Sequence, residues 1–397
     1  MKIGVSPGTR YNRVGEQYYT STSYHADMWK ECLEVFDEVI IADRVIYSDK
    51  IEAGFKPTVV EGVRFFEYPN YQGFWSLLKK LPKILWQAKK VVRKVDVWHF
   101  HCVHFETFCT WLWARFYHVP YTLELRGDLD WTLSYLKLRG VKFPRFVRAV
   151  MWRMTALQLT KPLAVVGVSK SLVKNYPPWN NCCTFAISDS RIPEELYGQE
   201  RSWKDDSTCR TIICVGRCEA SKNPHGTLRA LAKLDQKGFT NWKFVWAGAG
   251  DLEAKTQQVA DELGLSDRVN LLGFVPWDDV IKHLDNADLF LLNSVSEGMP
   301  RAMIEAMARA LPVVGTDVGG VSELLHKGDV VEPLRDDLLA DKLYEVLTNT
   351  GRLIEMSRRN LHTSKAFSGE VLRAKKVAFY AKIKTIVTDL KEMKDSY

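Results

Sequence analysis

Two carboxylates flank a strand-to-helix junction in the last third of the chain. The run is Asn293-Ser-Val-Ser-Glu297-Gly298-Met299-Pro300, followed by Arg301-Ala-Met-Ile-Glu305-Ala-Met-Ala. Pro300 fits the first position of a helix, where its missing N–H costs nothing. The free N–H groups and positive dipole end of that helix would attract an anion. Glu297 and Glu305 suit a different partner, because a carboxylate accepts two hydroxyl hydrogen bonds at once. Phosphate and vicinal hydroxyls together describe a nucleotide sugar. Further upstream, Val215-Gly216-Arg217 ends an apolar run and Lys222-Asn223-Pro224 opens the next helix. A guanidinium and an ammonium spaced by a short loop can clamp a diphosphate from two sides.

The elements that must hold these groups follow from hydrophobic periodicity. In the first half, strands are expected at 2–5, 38–42, 63–68, 95–100, 121–125 and 164–168, with helices at 25–36, 75–94, 105–117 and 145–160. In the second half, strands are expected at 211–215, 243–247, 269–272, 289–292 and 312–315. Helices are expected there at 223–236, 252–263, 277–285, 301–310 and 336–348. Short apolar strands alternating with helices imply an α/β fold with parallel sheets covered on both faces. The polar, aperiodic stretch 194–210 reads as a linker. The expected domains are therefore 1–200 and 201–370, with a basic helix over 371–397 returning toward the first.

Ordered motifs across 211–325 resemble the family-4 retaining glycosyltransferases. They are Gly216-Arg217 with Lys222-Asn223, Gly248-x-Gly250, Leu272-Gly273-x-Val275, Ser296-Glu297-Gly298-x-Pro300-x4-Glu305, and Thr316-x-x-Gly319-Gly320-x-x-Glu323. The resemblance implies the GT-B fold, two facing Rossmann-like domains, and a metal-independent enzyme moving a hexose from a nucleotide diphosphate. It gives the diphosphate to Arg217 and Lys222 beside Gly216, and the ribose hydroxyls to Glu305. Glu297, with the backbone of Gly298, Met299 and Pro300, would meet the transferred sugar and its β-phosphate. Val275 would meet the base. Family habit favours a UDP-sugar, with a GDP-sugar also compatible, and no further cofactor. Asp251 is expected as a helix N-cap, and Glu323 as a helix-start carboxylate.

The first half matches less closely. The segment Ser6-Pro7-Gly8 to Gly15-Glu16 stands where the family has a glycine-rich loop on the acceptor side, without its usual adjacent glycine pair. Asp96-Val-Trp-His99-Phe-His101 follows a family strand-end pattern. His99 should be buried, leaving His101, and less directly His104, as candidates for chemistry. Arg126-Gly127 stands where many relatives have His-Gly. A guanidinium stays protonated and cannot serve as a general acid or base, so Arg126 would bind phosphate, an acidic acceptor or leaving-group charge. Glu124 and Asp128 are carboxylates of the same strand end that could act as nucleophiles. The catalytic set so implied is Arg217, Lys222, Glu297, His101 and Arg126, with Gly15 and Arg126 facing the acceptor.

The net charge of +7 is local. Between Lys79 and Lys94 lie seven Lys or Arg and no acid, and between Trp131 and Thr155 six more, again with no acid. Aromatic residues interleave both stretches. Such a surface suits an anionic membrane at 74–94 and 131–155 and hence a glycolipid acceptor, or, as a weaker alternative, nucleic acid. The eight cysteines show no metal-binding spacing and suit a reducing, cytoplasmic setting. No secretory leader or bilayer-spanning run of about 20 apolar residues is expected. The sequence thus predicts a transferase acting in cell-surface polysaccharide or lipopolysaccharide synthesis, cytoplasmic or peripheral on the inner membrane face. Its alternatives are a non-catalytic sugar-nucleotide binder and a transferase acting on nucleic acid.

Overall fold

The computed structural model describes residues 1–395 except 23, 53, 103, 127–142 and 204–208. Its strands in chain order are β1 (Lys2–Ser6), β2 (Arg10–Val14), β3 (Gln17–Thr20), β4 (Glu38–Tyr47), β5 (Lys56–Pro57), β6 (Val63–Pro69), β7 (Val97–His101) and β8 (Tyr121–Leu125). They continue as β9 (Ala164–Gly167), β10 (Cys183–Ala186), β11 (Arg210–Val215), β12 (Trp242–Ala247), β13 (Val269–Leu271), β14 (Leu289–Leu292), β15 (Val313–Thr316) and β16 (Val330–Val331). They form two sheets in two compact units.

The second unit runs without interruption from Ser190 to Leu372 among the described residues. Its sheet order is β13-β12-β11-β14-β15-β16, with every pairing parallel. Counted within the unit, that is third, second, first, fourth, fifth, sixth. The connection reverses direction between β11 and β14, and in such open sheets ligands bind at the carboxyl ends of the strands beside the reversal. The strands are apolar runs such as Leu-Phe-Leu-Leu over Leu289–Leu292, buried on both faces, because helices cover the two sides. Helix Thr350–Ser364, absent from the expected elements, buries Leu353 and Met356 against this core.

In the first unit, β10-β9-β8-β7-β1-β4 lie side by side, with β6 on the far edge of β4. This is again a doubly wound order, with its reversal between β1 and β7. The expected glycine-rich loop is a hairpin instead. β2 and β3 pair antiparallel through a two-residue turn, Gly15-Glu16, and β2 continues the sheet beside the long end of β4. Tyr11 anchors that hairpin: it is fully buried while Arg10 is exposed.

The unit boundary lies at Asp189–Ser190 rather than near residue 200. The polar-looking stretch after it belongs to the second core, where Ile192 and Leu196 are buried and the Gly198 N–H donates to Ala308 O. Arg201 donates to four backbone carbonyls, at 284, 285, 287 and 309. The final helix, Gly369–Asp395, carries the chain back, and from Arg373 onward it is part of the first unit. Phe379 and Tyr380 pack on His99 there, and Lys384 donates to Val35 O at 2.6 Å.

Candidate functional site

The second unit concentrates its predicted residues at the β11/β14 reversal. After β14, Asn293 and Ser294 are buried, and the chain turns outward through 295–299 before helix Arg301–Ala308. Pro300 is the N-cap of that helix, not its first helical residue, with an extended backbone (φ −75°, ψ 99°). The restriction proline places on its predecessor favours ending an extended loop there. The first N–H groups of the helix still lack an intrahelical acceptor. Glu297 Oε1 receives hydrogen bonds from Lys222 Nζ and, at 2.5 Å, from Ser294 Oγ. Lys222 rises from a short turn after β11, and Gly216 leaves space for its methylenes, since a Cβ there would stand 3.2 Å from Lys222 Cε.

Arg217 is placed differently. Its guanidinium pairs with Glu219 at 3.0 Å and its side chain is 65% exposed, so it flanks the Lys222–Glu297 pair without joining it. Glu305 is buried, with Oε1 accepting from Arg301 Nε at 2.9 Å and from Trp277 Nε1 at 3.3 Å. Val275 packs partly into the second core beside the exposed Phe274. Two glycine motifs serve as backing. A Cβ on Gly248 would lie 2.2 Å from Gly216 O, so this position holds the Gly216–Arg217 turn by close backbone approach. Gly319 has φ +51°, and a Cβ there would lie 1.9 Å from Glu297 O. Beside it, Gly320 N–H donates to Gly298 O at 2.7 Å. Asp251 does not cap its helix; Leu252 occupies the N-cap position.

The first unit gathers its predicted residues at the carboxyl ends of β7 and β8. Glu124 Oε2 meets His99 Nε2 at 3.0 Å and His101 Nε2 at 3.3 Å, while Oε1 accepts from Arg126 Nε at 2.5 Å. Thr122 Oγ1 lies 2.8 Å from His99 Nδ1, and Tyr24 OH 2.5 Å from His101 Nδ1. Each imidazole nitrogen therefore has a partner. Arg126 also donates to Asp189 at 3.0 Å and lies over the Tyr24 ring at 4.5 Å. Its remaining Nη2 is buried with no hydrogen-bond partner.

Burial pushes the His101 imidazolium well below its ordinary range, which Glu124 only partly opposes. Burial would raise the Glu124 carboxyl, but Arg126, His101 and His99 hold it well below the usual carboxylate range. His99 and His101 are both buried, so the expectation for His99 holds, while His101 is enclosed as well. Gly15 sits in the hairpin turn with open space around it. Asp128 and Gly127 lie outside the described residues.

Among the described residues, His99, His101 and Glu124 are a group whose ligand-type atoms fall within 4.8 Å of one another. The hydroxyl and carboxylate bonds above already account for each nitrogen, so the set works as a closed hydrogen-bond network. His101 gives a pH prediction. Its folded-state pKa lies below the unfolded value near 6.5, so the unfolded chain binds the extra proton in that window. Stability is then complete above about pH 6.5 and falls below it by about 1.4 kcal/mol per pH unit for one proton. Thermal melts from pH 7.5 to 5 should show this loss, and His101→Gln should reduce it, the remainder belonging to His104, whose imidazolium burial also disfavours. A wild-type midpoint constant over that range would count against the buried neutral imidazole.

Several partners have no local signature in the sequence. Trp277 lies 28 residues before Glu305, and Asp189 lies 63 residues after Arg126. Ser294, three residues before Glu297, was within reach of a loop-level reading.

Residues 199–362 match the family described as glycosyl transferases group 1. The amylovoran biosynthesis glycosyltransferase AmsK of Erwinia amylovora is 37% identical over 121 residues, which is 29% of this chain and 30% of that protein. The match thus spans about a third of that relative's length. Among solved structures, sucrose-phosphate synthase from Thermosynechococcus elongatus superposes with a TM-score of 0.70 at 15% identity, over 97% of this chain and 99% of that one. Anabaena HepE in complex with UDP gives a TM-score of 0.64 at 17% identity, over 99% and 100% of the two chains. The two doubly wound units are those of the GT-B fold. Over residues 199–362, the chain is thus similar to the glycosyl transferases group 1 family.

Proposed function

We propose that the protein is a retaining glycosyltransferase that moves a sugar from a nucleoside diphosphate, UDP favoured, to a glycan or glycolipid acceptor of cell-surface polysaccharide or lipopolysaccharide synthesis. The observation that carries this reading is the Lys222–Glu297 pair at the β11/β14 reversal, next to the open start of helix Arg301–Ala308. An ammonium and unpaired N–H groups suit a diphosphate, and the neighbouring carboxylate suits sugar hydroxyls. HepE, of similar fold, is a complex with UDP, and AmsK is named for amylovoran biosynthesis.

In this reading Lys222 and the helix start hold the diphosphate and stabilise the charge that develops on it as the bond to the sugar breaks. Arg217, extended toward solvent in the structure, swings from Glu219 to the same phosphates. Glu297 positions the sugar, and Glu305 holds the ribose, kept in place by Trp277 and Arg301. The base lies along Val275. The acceptor hydroxyl attacks from the face the diphosphate leaves, without a metal ion. The first unit takes the acceptor, with the hairpin turn at Gly15 near it. Arg126 and His101 are tied to Glu124 and Asp189 and act by shaping that surface.

Calorimetry against UDP, GDP, ADP and 2′-deoxy-UDP tests the donor side. UDP should bind, and 2′-deoxy-UDP should bind roughly 10- to 100-fold less tightly, the scale of a hydrogen bond to a charged group. Glu305→Ala should erase that difference. Equal affinity for the two nucleotides in the unaltered protein would remove Glu305 from the ribose.

A further inference from the structure

We propose that the outer face of three neighbouring helices in the first unit docks on an anionic lipid bilayer. The proposal rests on surface chemistry and is independent of the transfer reaction above.

Helix Gly73–Val92 buries one stripe, Leu77, Ile84, Ala88 and Val91, against the sheet. A second apolar stripe, at Trp75, Leu78, Pro82 and Trp86, runs along its opposite side at helical spacing. Among the described residues nothing covers this stripe: Trp75 is 75% and Trp86 55% exposed, and Phe74 beside them 63%. The same helix carries five lysines and no acid, and Lys90 Nζ rests 3.2 Å from the centre of the Trp86 ring.

Helix Phe105–Phe116 packs alongside, with Trp113 Nε1 donating to Leu85 O at 2.9 Å. It adds an exposed Phe116 and Arg115, and its one acid, Glu106, is fully buried against Arg44. Helix Pro144–Gln158 packs on its other flank and repeats the pattern, with exposed Phe146 and Trp152 among three arginines and no acid.

Cations interleaved with outward indole and phenyl rings match the headgroup region, where rings enter the acyl boundary and lysines meet lipid phosphates. The extent of apolar exposure separates a bilayer from a nucleic acid. A polyanion in water would satisfy the lysines and leave the second stripe of Gly73–Val92 uncovered. A bilayer covers both.

Flotation with phosphatidylcholine–phosphatidylglycerol vesicles, with pure phosphatidylcholine vesicles and duplex DNA as comparisons, tests the proposal. The protein should float with the anionic vesicles and not with the neutral ones, more weakly as salt rises. Lys79→Gln with Lys83→Gln and Lys90→Gln should weaken vesicle binding on the order of 100-fold, from the contribution of each cation near a charged surface. Phe74→Ser with Trp75→Ser should weaken it at least roughly 10-fold by removing buried ring area. Circular dichroism should show both variants folded, since the altered side chains are exposed. No flotation with anionic vesicles at low salt would overturn the proposal. Equal flotation with neutral vesicles, or DNA binding as tight as vesicle binding with the ring substitutions silent in both, would also overturn it.

Discussion

Lys222→Ala is expected to cut sugar transfer at least roughly 100-fold, the scale of removing a donor aimed at developing charge. The ammonium is the cation closest to Glu297, only 18% exposed, and is held in position by a turn that has no other long side chain to replace it. Under the proposed function, removing it takes away positive charge where the leaving diphosphate gains negative charge, and it frees the Glu297 carboxylate, which then repels the phosphates. Both effects act in the same direction. Arg217→Ala should produce a loss of similar order through a different route, since its guanidinium rests on Glu219 and must leave it to reach a phosphate. Nucleotide affinity and turnover measured on purified, folded variants separate binding from charge stabilisation. Near-normal transfer by Lys222→Ala would remove the diphosphate clamp from the mechanism.

Gly319→Ala should be nearly as damaging while leaving every charged side chain in place. A methyl at this position would meet Glu297 O at 1.9 Å, and the backbone there already has φ +51°. Neither strand-end loop can relax alone, because Gly320 N–H is bonded to Gly298 O and Thr316 Oγ1 to Ser294 O. The expected result is displacement of the Glu297 loop, with turnover reduced at least roughly 100-fold by misplacement of about an ångström. Stability should fall by about 1–3 kcal/mol, as for a residue forced into a sparsely populated backbone region. A thermal melt and a transfer assay on the same sample check both numbers. Full activity in Gly319→Ala would show that the two glycines do not set the loop.

The sequence made the second unit readable because its central strands are mostly buried, β14 and β15 throughout. Continuous apolar runs such as Leu289–Leu292 and Thr211–Val215 stand out from the helices between them, and the β11–β15 strands were all recognised to within a residue at each end. The site loops follow each strand end, so Lys222 and Glu297 could be paired by position. The hairpin β2–β3 was missed because its turn, Gly15-Glu16, looks like part of a flexible glycine-bearing loop, and its ladder depends on an overhang of β4 far along the chain. The burial of Leu196 inside a polar stretch was likewise invisible without the groove that receives it. Charge networks were the least legible. Arg126 read as a free cation because Asp189 and the Tyr24 ring reach it only through the fold.

The return of the last helix has a consequence for synthesis order. Among the described residues the second unit is continuous, Ser190 to Leu372, so its core closes without any later segment of the chain. The first unit emerges earlier but waits, because the faces of His99 and Phe36 are closed by Phe379 and Tyr380. The half made first therefore finishes last, and until the terminal helix arrives its buried histidine network stays open to water.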